Sequence, residues 1–405
     1  MTMAQSPPKL LPQIPGVRLS AVPAKIKNWQ RDDLLLIEVA SGASVSATFT
    51  QNAFCAAPVL LARKHIAGGN IRALLINAGN ANAATGERGL ADAHRCCEGV
   101  AQALGIESSQ VLPFSTGVIG EHLPVQKILD AIPTAAAQLQ ADAWPAAAQA
   151  IMTTDTRPKT ASCSVDIAGE TISVVGIAKG AGMIQPNMAT MLAYVATDAA
   201  IPQPMLDELV KEAVGASFNR ISVDGDTSTN DACVLIASGA TGEVIGDRNS
   251  EAYWKLKAAI VDVHIQLAQA IVKDGEGATK FVTVQVNNAA NSAEALRMAF
   301  EIGESPLVKT ALYASDPNWG RLVMAIGNAG VENLDPGKIS VFLDDVQIVD
   351  AGGRADSYTE EAGQAVFEQP EFTITVDLQR GNACEHIWTC DFSHDYVTIN
   401  AEYRT

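Results

Sequence analysis

Between residues 179 and 190 the chain reads Lys179-Gly180-Ala181-Gly182-Met183-Ile184-Gln185-Pro186-Asn187-Met188-Ala189-Thr190. A glycine-rich loop and a Pro-Asn turn thus end on a small residue followed by a threonine. A threonine hydroxyl is a poor nucleophile until a positioned base takes its proton. Cutting the Ala189–Thr190 bond would give Thr190 an α-amine with a pKa of about 7.7–8.0, right beside its own hydroxyl. One cleavage would supply nucleophile and base together. Threonine is also common at the start of a strand, so its type alone leaves that plainer reading open. The glycines could cradle a phosphate, but no Gly-Lys-Ser or Gly-Lys-Thr follows and no full GxGxxG is present.

Three other segments could carry chemistry. Thr116 and Gly117 end an extended run, and a hydroxyl followed by a glycine N–H can offer two donors to a developing oxyanion; a simple Ser-Thr-Gly turn is the alternative. Asp224, Asp226 and Asp231 have a spacing reminiscent of a calcium loop. The closing glutamate of that motif is not filled, because Asp231 stands there, so no metal site is expected and a polar loop near an active site is the better reading. Glu276 projects between Gly275 and Gly277 after a long helical stretch, where it could cap the helix or pair with a substrate ammonium.

These residues need elements to hold them. Strands are expected at 34–40, 44–50, 71–78, 110–116, 191–198, 232–237 and 281–286, and helices at 87–104, 125–152, 203–216 and 250–273. Pro133 and Pro145 should interrupt the second helix. Segments 159–168 and 171–178 form a hairpin candidate around Gly169-Glu170. Phe372, Ile374, Val376 and Leu378 alternate on one strand face, and 395–405 reads as a strand running to the last residue. The mixture predicts an α/β (α+β) class, with layered β-sheets and packed helices.

Composition narrows the function. The 405 residues carry 28 basic and 45 acidic side chains, a net charge of −17, which argues against a phosphate-backbone partner and hence against nucleic acid. No apolar run reaches the length of a membrane span, and the N-terminal segment lacks a signal-peptide core. The seven cysteines show no CxxC pair and read as reduced thiols of a cytoplasmic protein. The six histidines form no ligand motif, so neither metal nor cofactor is expected.

Taken in order, the segments 115–120 (STGVIG), 179–192 (KGAGMIQPNMATML), 274–280 (DGEGATK), 315–321 (SDPNWGR) and 398–405 (TINAEYRT) closely resemble the ornithine acetyltransferase family of arginine biosynthesis, also called glutamate N-acetyltransferases. The likeness runs from Pro15 to Thr405. It implies a layered sandwich shared with self-processing aminopeptidases, and self-cleavage between Ala189 and Thr190 into chains 1–189 and 190–405. It implies Thr190 as the nucleophile, Thr116 and Gly117 as the oxyanion hole, and Thr153, Lys179, Thr190, Glu276, Asn400 and Thr405 as substrate contacts. The implied reaction moves an acetyl group from N-acetylornithine to glutamate through an acetyl-Thr190 ester, without a cofactor. Whether acetyl-CoA is a second donor stays open. The implied assembly is two copies of each chain. Two rivals stand beside this reading: a hydrolase of the same fold, and a non-catalytic sensor of acidic amino acids that would stay uncut.

Overall fold

A computed structural model describes residues 11–185 and 191–402. The chain divides into two compact units. The first comprises Met1–Gly180, Asn187–Phe218 and Thr227–Leu267; the second comprises Ala181–Pro186, Asn219–Asp226 and Ala268–Thr405.

Two stacked sheets make the first unit. One has the order Val17–Val22, Leu34–Val39, Ala73–Asn80, Val111–Val118. The other has the order Ser44–Phe49, Ala232–Thr241, Leu192–Ala199, Glu170–Lys179, Lys159–Ile167. In a strand successive side chains face opposite ways. Leu35, Ile37, Leu74, Ile76, Leu112 and Phe114 therefore meet Val175, Ile177, Tyr194, Val234 and Ile236 of the other sheet in one buried core. Leu34, Leu36, Leu75 and Val111 point the other way, toward Cys96, Cys97 and Val100 of helix Gly86–Leu104 and Ile128 and Ile132 of helix Val125–Ala137. On the outer face of the second sheet, the missing side chain of Gly176 leaves room for Val263 and Leu267 of the helix that starts at Glu251. The result is the expected layered sandwich. Strands covered on both faces need apolar residues at every position, which is why these segments read as continuous runs rather than alternations.

The second unit is a single sheet with helices packed on it. Its strand order is Gly353–Arg354, Val346–Asp350, Ser340–Leu343, Glu371–Asp377, Phe281–Ala289, Ala383–Cys390, Ile221–Ser222. Val282, Val284, Ile374, Val376 and Ile387 bury one face against Met298 and Ile302 of helix Ser292–Glu304 and Leu322 and Ile326 of helix Trp319–Asn328.

Three local expectations are corrected. The hairpin turn is Ala168-Gly169, one residue earlier than expected; both residues have positive φ, 55° and 86°, as a tight two-residue turn requires. Pro133 lies inside helix Val125–Ala137, and Pro145 sits in the first turn of helix Trp144–Ala150, the position where proline costs least. The C-terminal segment is not a strand: His394–Ala401 is helical. Ser393 caps it by accepting the Tyr396 N–H at 3.3 Å, Asp395 lies in its first turn, and the Phe392 and Tyr396 rings stack at 4.9 Å. Capping and ring packing outweigh the strand preference of Val397, Thr398 and Ile399.

Tyr194 is buried between the two sheets of the first unit, edge-on to Phe114, and its hydroxyl has no hydrogen-bond partner among the described residues. A buried unpaired hydroxyl costs about 1–3 kcal/mol. Tyr194→Phe should therefore raise stability by about 1 kcal/mol in urea denaturation. A loss of stability would show that the hydroxyl is satisfied, by a buried water for example.

Candidate active site

Thr116 and Gly117 lie near the end of a parallel pair of strands, where Ala78 faces Thr116 and Gly79 faces Gly117. The register shifts at Asn80, so the ladder bulges there. Gly117 takes φ +132°, and a Cβ on it would stand 2.3 Å from the Gly79 carbonyl carbon. Only glycine fits such an approach. Asparagines hold the surrounding backbone in place. Asn77 Oδ1 accepts the Ser115 hydroxyl at 2.6 Å. Asn230 Nδ2 donates to the Ala81 and Ser115 carbonyls at 2.6 and 2.9 Å.

Lys179 is the last residue of its strand, immediately before the glycine loop. Its Nζ donates to Thr153 Oγ1 at 2.8 Å and Thr116 Oγ1 at 3.2 Å. Three residues that sequence reasoning assigned to one site are thereby brought together. Beneath them is Asp155, which that reasoning missed. Its side chain is fully buried, with Lys159 Nζ 2.6 Å away and Lys179 Nζ 4.0 Å away. It also accepts the Gly180 N–H at 2.7 Å and the Thr153 N–H at 3.0 Å. Burial opposes its charge, but Lys179, Lys159 and the Gly180 N–H together outweigh that and hold the carboxyl well below the usual carboxylate range. One carboxylate thus fixes the lysine, the backbone that opens the glycine loop, and the turn that carries Thr153.

Ala189 and Thr190 lie outside the described residues, as does Thr405. The next residue after Thr190 is well fixed. The Met191 carbonyl accepts the Ala232 N–H at 3.1 Å, and its N–H donates to the carboxyl of Asp231. Burial pushes the Asp231 carboxyl well above its ordinary range, against the pull of the Met191 N–H and Lys179.

Glu276 and Asn400 belong to the second unit and touch each other. Asn400 Nδ2 donates to Glu276 Oε2 at 2.8 Å and to the Tyr396 carbonyl at 3.0 Å. The Glu276 N–H donates to the Ala181 carbonyl at 2.8 Å. The carboxylate lies so close to Gly182 that a Cβ there would stand 2.5 Å from Glu276 Cδ, which gives the second glycine of the loop its reason. Asp224 ties down the next turn by accepting the Met183 and Ile184 N–H groups at 2.6 and 2.8 Å and the Tyr396 hydroxyl at 3.3 Å. The acidic run 219–231 therefore serves as backbone anchors, with Asp224 in one unit and Asp231 in the other. Among the described residues no group of histidine, cysteine and carboxylate side chains could hold a metal ion, and no helix is long and apolar enough to cross a membrane.

Similarity to known proteins extends over nearly the whole chain. The ArgJ family model matches residues 18–405. The arginine biosynthesis bifunctional protein ArgJ of Pseudomonas syringae pv. tomato is 53% identical over 406 residues, covering all of both chains. Among solved structures, the arginine biosynthesis bifunctional protein ArgJ of Bacillus halodurans is 38% identical, covering 51% of this chain and 97% of its own, with a TM-score of 0.49. Ornithine acetyltransferase of Mycobacterium tuberculosis, solved with ornithine, is 32% identical, covering 43% and 94% respectively, with a TM-score of 0.36.

The Asp155 cluster makes a stability prediction. Asp155→Ala removes the carboxylate from between two ammonium groups and should cost about 3–5 kcal/mol, the scale for breaking a buried ion pair. Asp155→Asn should cost less. Because the folded carboxyl is held down, its contribution is complete above the unfolded value of about 3.9 and fades as pH falls below it. The stability gap between parent and Asp155→Asn, measured in urea, should therefore be constant from pH 7 to 5 and shrink below about pH 4. A gap that widens in acid would contradict the assignment.

Proposed function

This chain belongs to the ArgJ family, and on that premise we propose how its residues carry out acetyl transfer in arginine biosynthesis. The enzyme moves the acetyl group of N2-acetyl-L-ornithine to L-glutamate, giving L-ornithine and N-acetyl-L-glutamate. The observation that carries the reading is Lys179, which bridges the Thr116 and Thr153 hydroxyls at the mouth of the loop leading to Thr190.

The chain first cuts itself. Thr190 Oγ attacks the Ala189 carbonyl, the ester that results is hydrolysed, and chains 1–189 and 190–405 remain. In the transfer reaction the new α-amine takes the hydroxyl proton as Thr190 Oγ attacks the acetyl carbon of N-acetylornithine. The oxyanion is met by the Thr116 hydroxyl and the Gly117 N–H. The amide C–N bond breaks, the proton passes to the departing ornithine amine, and an acetyl-Thr190 ester is left. The amine of glutamate then attacks this ester and reverses the sequence. Donor and acceptor share an α-carboxylate and an α-nitrogen, so one pocket can serve both. Lys179 and Thr153 suit the carboxylate or amide. Glu276, steadied by Asn400, suits an ammonium, and Thr405 completes the substrate contacts. Acetyl transfer between two amines is nearly thermoneutral, so no nucleotide is consumed. In keeping with a relative named bifunctional, acetyl-CoA is taken as a second acetyl donor to the same threonine. Two copies of each chain form the assembly, in the cytoplasm.

Thr190→Ala should run as one uncut chain on a denaturing gel and have no transferase activity. Efficient cleavage of that variant would remove the nucleophile assignment. Thr116→Ala should lower kcat by about 10²-fold, the usual scale for one lost oxyanion donor; an unchanged kcat would leave Thr116 a turn residue. Incubation with acetylornithine alone should add one acetyl group to the 190–405 chain by mass spectrometry, and glutamate should discharge it as N-acetylglutamate. Release of acetate in its place would mark a hydrolase.

A further inference from the structure

The segment after the first strand, residues 23–32, has no place in the chemistry derived so far. It encloses a cavity of about 570 Å³, lined by Lys25, Lys27, Trp29, Arg31 and Asp32 among others, within the range of pockets that hold a small ligand. Its backbone is fixed from below. Asp33 turns inward and accepts the N–H groups of Ala24, Lys25 and Ile26 at 2.6, 3.1 and 2.6 Å. Lys25 is held at φ +56°. A side chain with that strained backbone is costly unless the surroundings impose it.

The charge of this pocket runs against that of the molecule. In a chain of net charge −17, four cationic side chains gather here. Lys25, Lys27 and Arg31 line the cavity, and Lys127 Nζ donates to the Lys25 carbonyl at 2.6 Å. They meet two outward carboxylates: Asp32 in the lining, and Glu121, whose Oε2 lies 2.9 Å from Lys27 Nζ. Arg31 spends its guanidinium on the Gln149 and Met152 carbonyls at 2.9 and 2.6 Å and lies 4.2 Å over the Trp29 ring, so the aromatic wall is braced. Lys27 keeps Glu121 as a partner, yet four cations against two carboxylates leave the cluster a net positive charge that can receive an anion.

The residues of the pocket reach immediate neighbours of the acyl-transfer residues on two sides. A Cβ on Gly79 would stand 2.9 Å from Lys27 Cγ and 3.4 Å from Trp29 Cη2, and Gly79 is the residue that faces Gly117. The Met152 carbonyl held by Arg31 immediately precedes Thr153, a partner of Lys179. From the lysines the way to Gly117 therefore passes Trp29 and Gly79.

We propose that the Lys25–Asp32 pocket binds the nucleotide phosphates of an acetyl thioester donor, acetyl-CoA, and leads its pantetheine arm past Trp29 and Gly79 toward Thr116 and Gly117. The proposal rests on the reading that acetyl-CoA is a second donor. Acetylornithine, which has no phosphate, makes no use of this pocket. In the thioester reaction Thr190 Oγ attacks the acetyl carbon, the C–S bond breaks, the thiol leaves with the hydroxyl proton, and the same acetyl-Thr190 ester passes to glutamate.

The test compares the processed parent with a Lys25→Gln, Lys27→Gln double variant. N-acetylglutamate formation is measured from acetyl-CoA, from S-acetylpantetheine (which lacks the phosphates) and from acetylornithine. The variant should show a KM for acetyl-CoA raised about tenfold or more, the scale of lost charge-assisted contacts. Its KM for S-acetylpantetheine and both constants for acetylornithine should stay within about twofold of the parent, since neither donor carries the phosphates. Lys25→Glu alone should act in the same direction and guards against a folding defect in the double variant. An unchanged KM for acetyl-CoA overturns the pocket while leaving acetyl-CoA a donor. Equal loss with all three donors overturns it as well, since the lysines would then serve the fold or the common site. A parent that makes no N-acetylglutamate from acetyl-CoA defeats the donor reading itself, and the pocket with it.

Discussion

A buried aspartate between two lysines is the constraint on which the rest of the first unit's site depends. Asp155 is inaccessible to solvent, and so is nearly all of Lys159 beside it. Placing such charges out of water is expensive unless each finds a partner and the remaining lone pairs are filled. Here the Thr153 and Gly180 N–H groups fill them. The cost of burial therefore becomes a demand on geometry: any shift of the Thr153 turn or of the strand end at Lys179 leaves charge unmatched. A flexible loop could not hold an ammonium between two threonine hydroxyls at 2.8 and 3.2 Å. A strand end pinned by an ion pair can.

Close backbone approach complements this charge network. Gly79 and Gly117 meet where the parallel ladder bulges, and a bulge redirects the strand and the side chains beyond it. The asparagines around them take up the backbone groups that the irregular ladder would otherwise strand, as burial of such a segment demands. In the second unit the same economy appears in smaller form: Gly182 makes room for Glu276, and Asn400 steadies that carboxylate from a capped helix.

Much of this was legible in the sequence, and the parts that were not have physical causes. Segments such as Leu34–Val39 and Ala73–Asn80 announced themselves as strands because burial on both faces requires unbroken apolar runs. Strand order did not, since it depends on crossovers that no local pattern encodes. Thr116 drew notice by its own chemistry beside Gly117, whereas Thr153 and Lys179 emerged through whole-motif resemblance, and the contact among the three is long-range. Asp155 was invisible: it sits in the polar run Thr153-Thr154-Asp155-Thr156, and only the fold supplies its lysines. Asp224 and Asp231 drew notice by a metal-like spacing and were read as part of a polar loop; which backbone N–H groups their carboxylates hold is a matter of the fold. The C-terminal helix was missed because β-branched residues outvoted a serine cap.

The hairpin-like partnership of Glu170–Lys179 with Leu192–Ala199 has one further consequence. These strands pair antiparallel from Val174 with Thr197 to Lys179 with Leu192, and Ser44–Phe49 lies against Ala232–Thr241 in the same sheet. A cut ahead of Thr190 would thus divide the polypeptide while leaving the five-stranded sheet spanning both pieces. Neither piece would own the whole five-stranded sheet, so neither could be expected to complete the first unit by itself. Folding would be a single-molecule event before the cut, and reassembly after it would need an encounter of two. Such a protein carries a memory of its own synthesis: thermal or chemical unfolding of the mature form becomes concentration-dependent, and recovery grows slower on dilution although no atom of the fold has been lost.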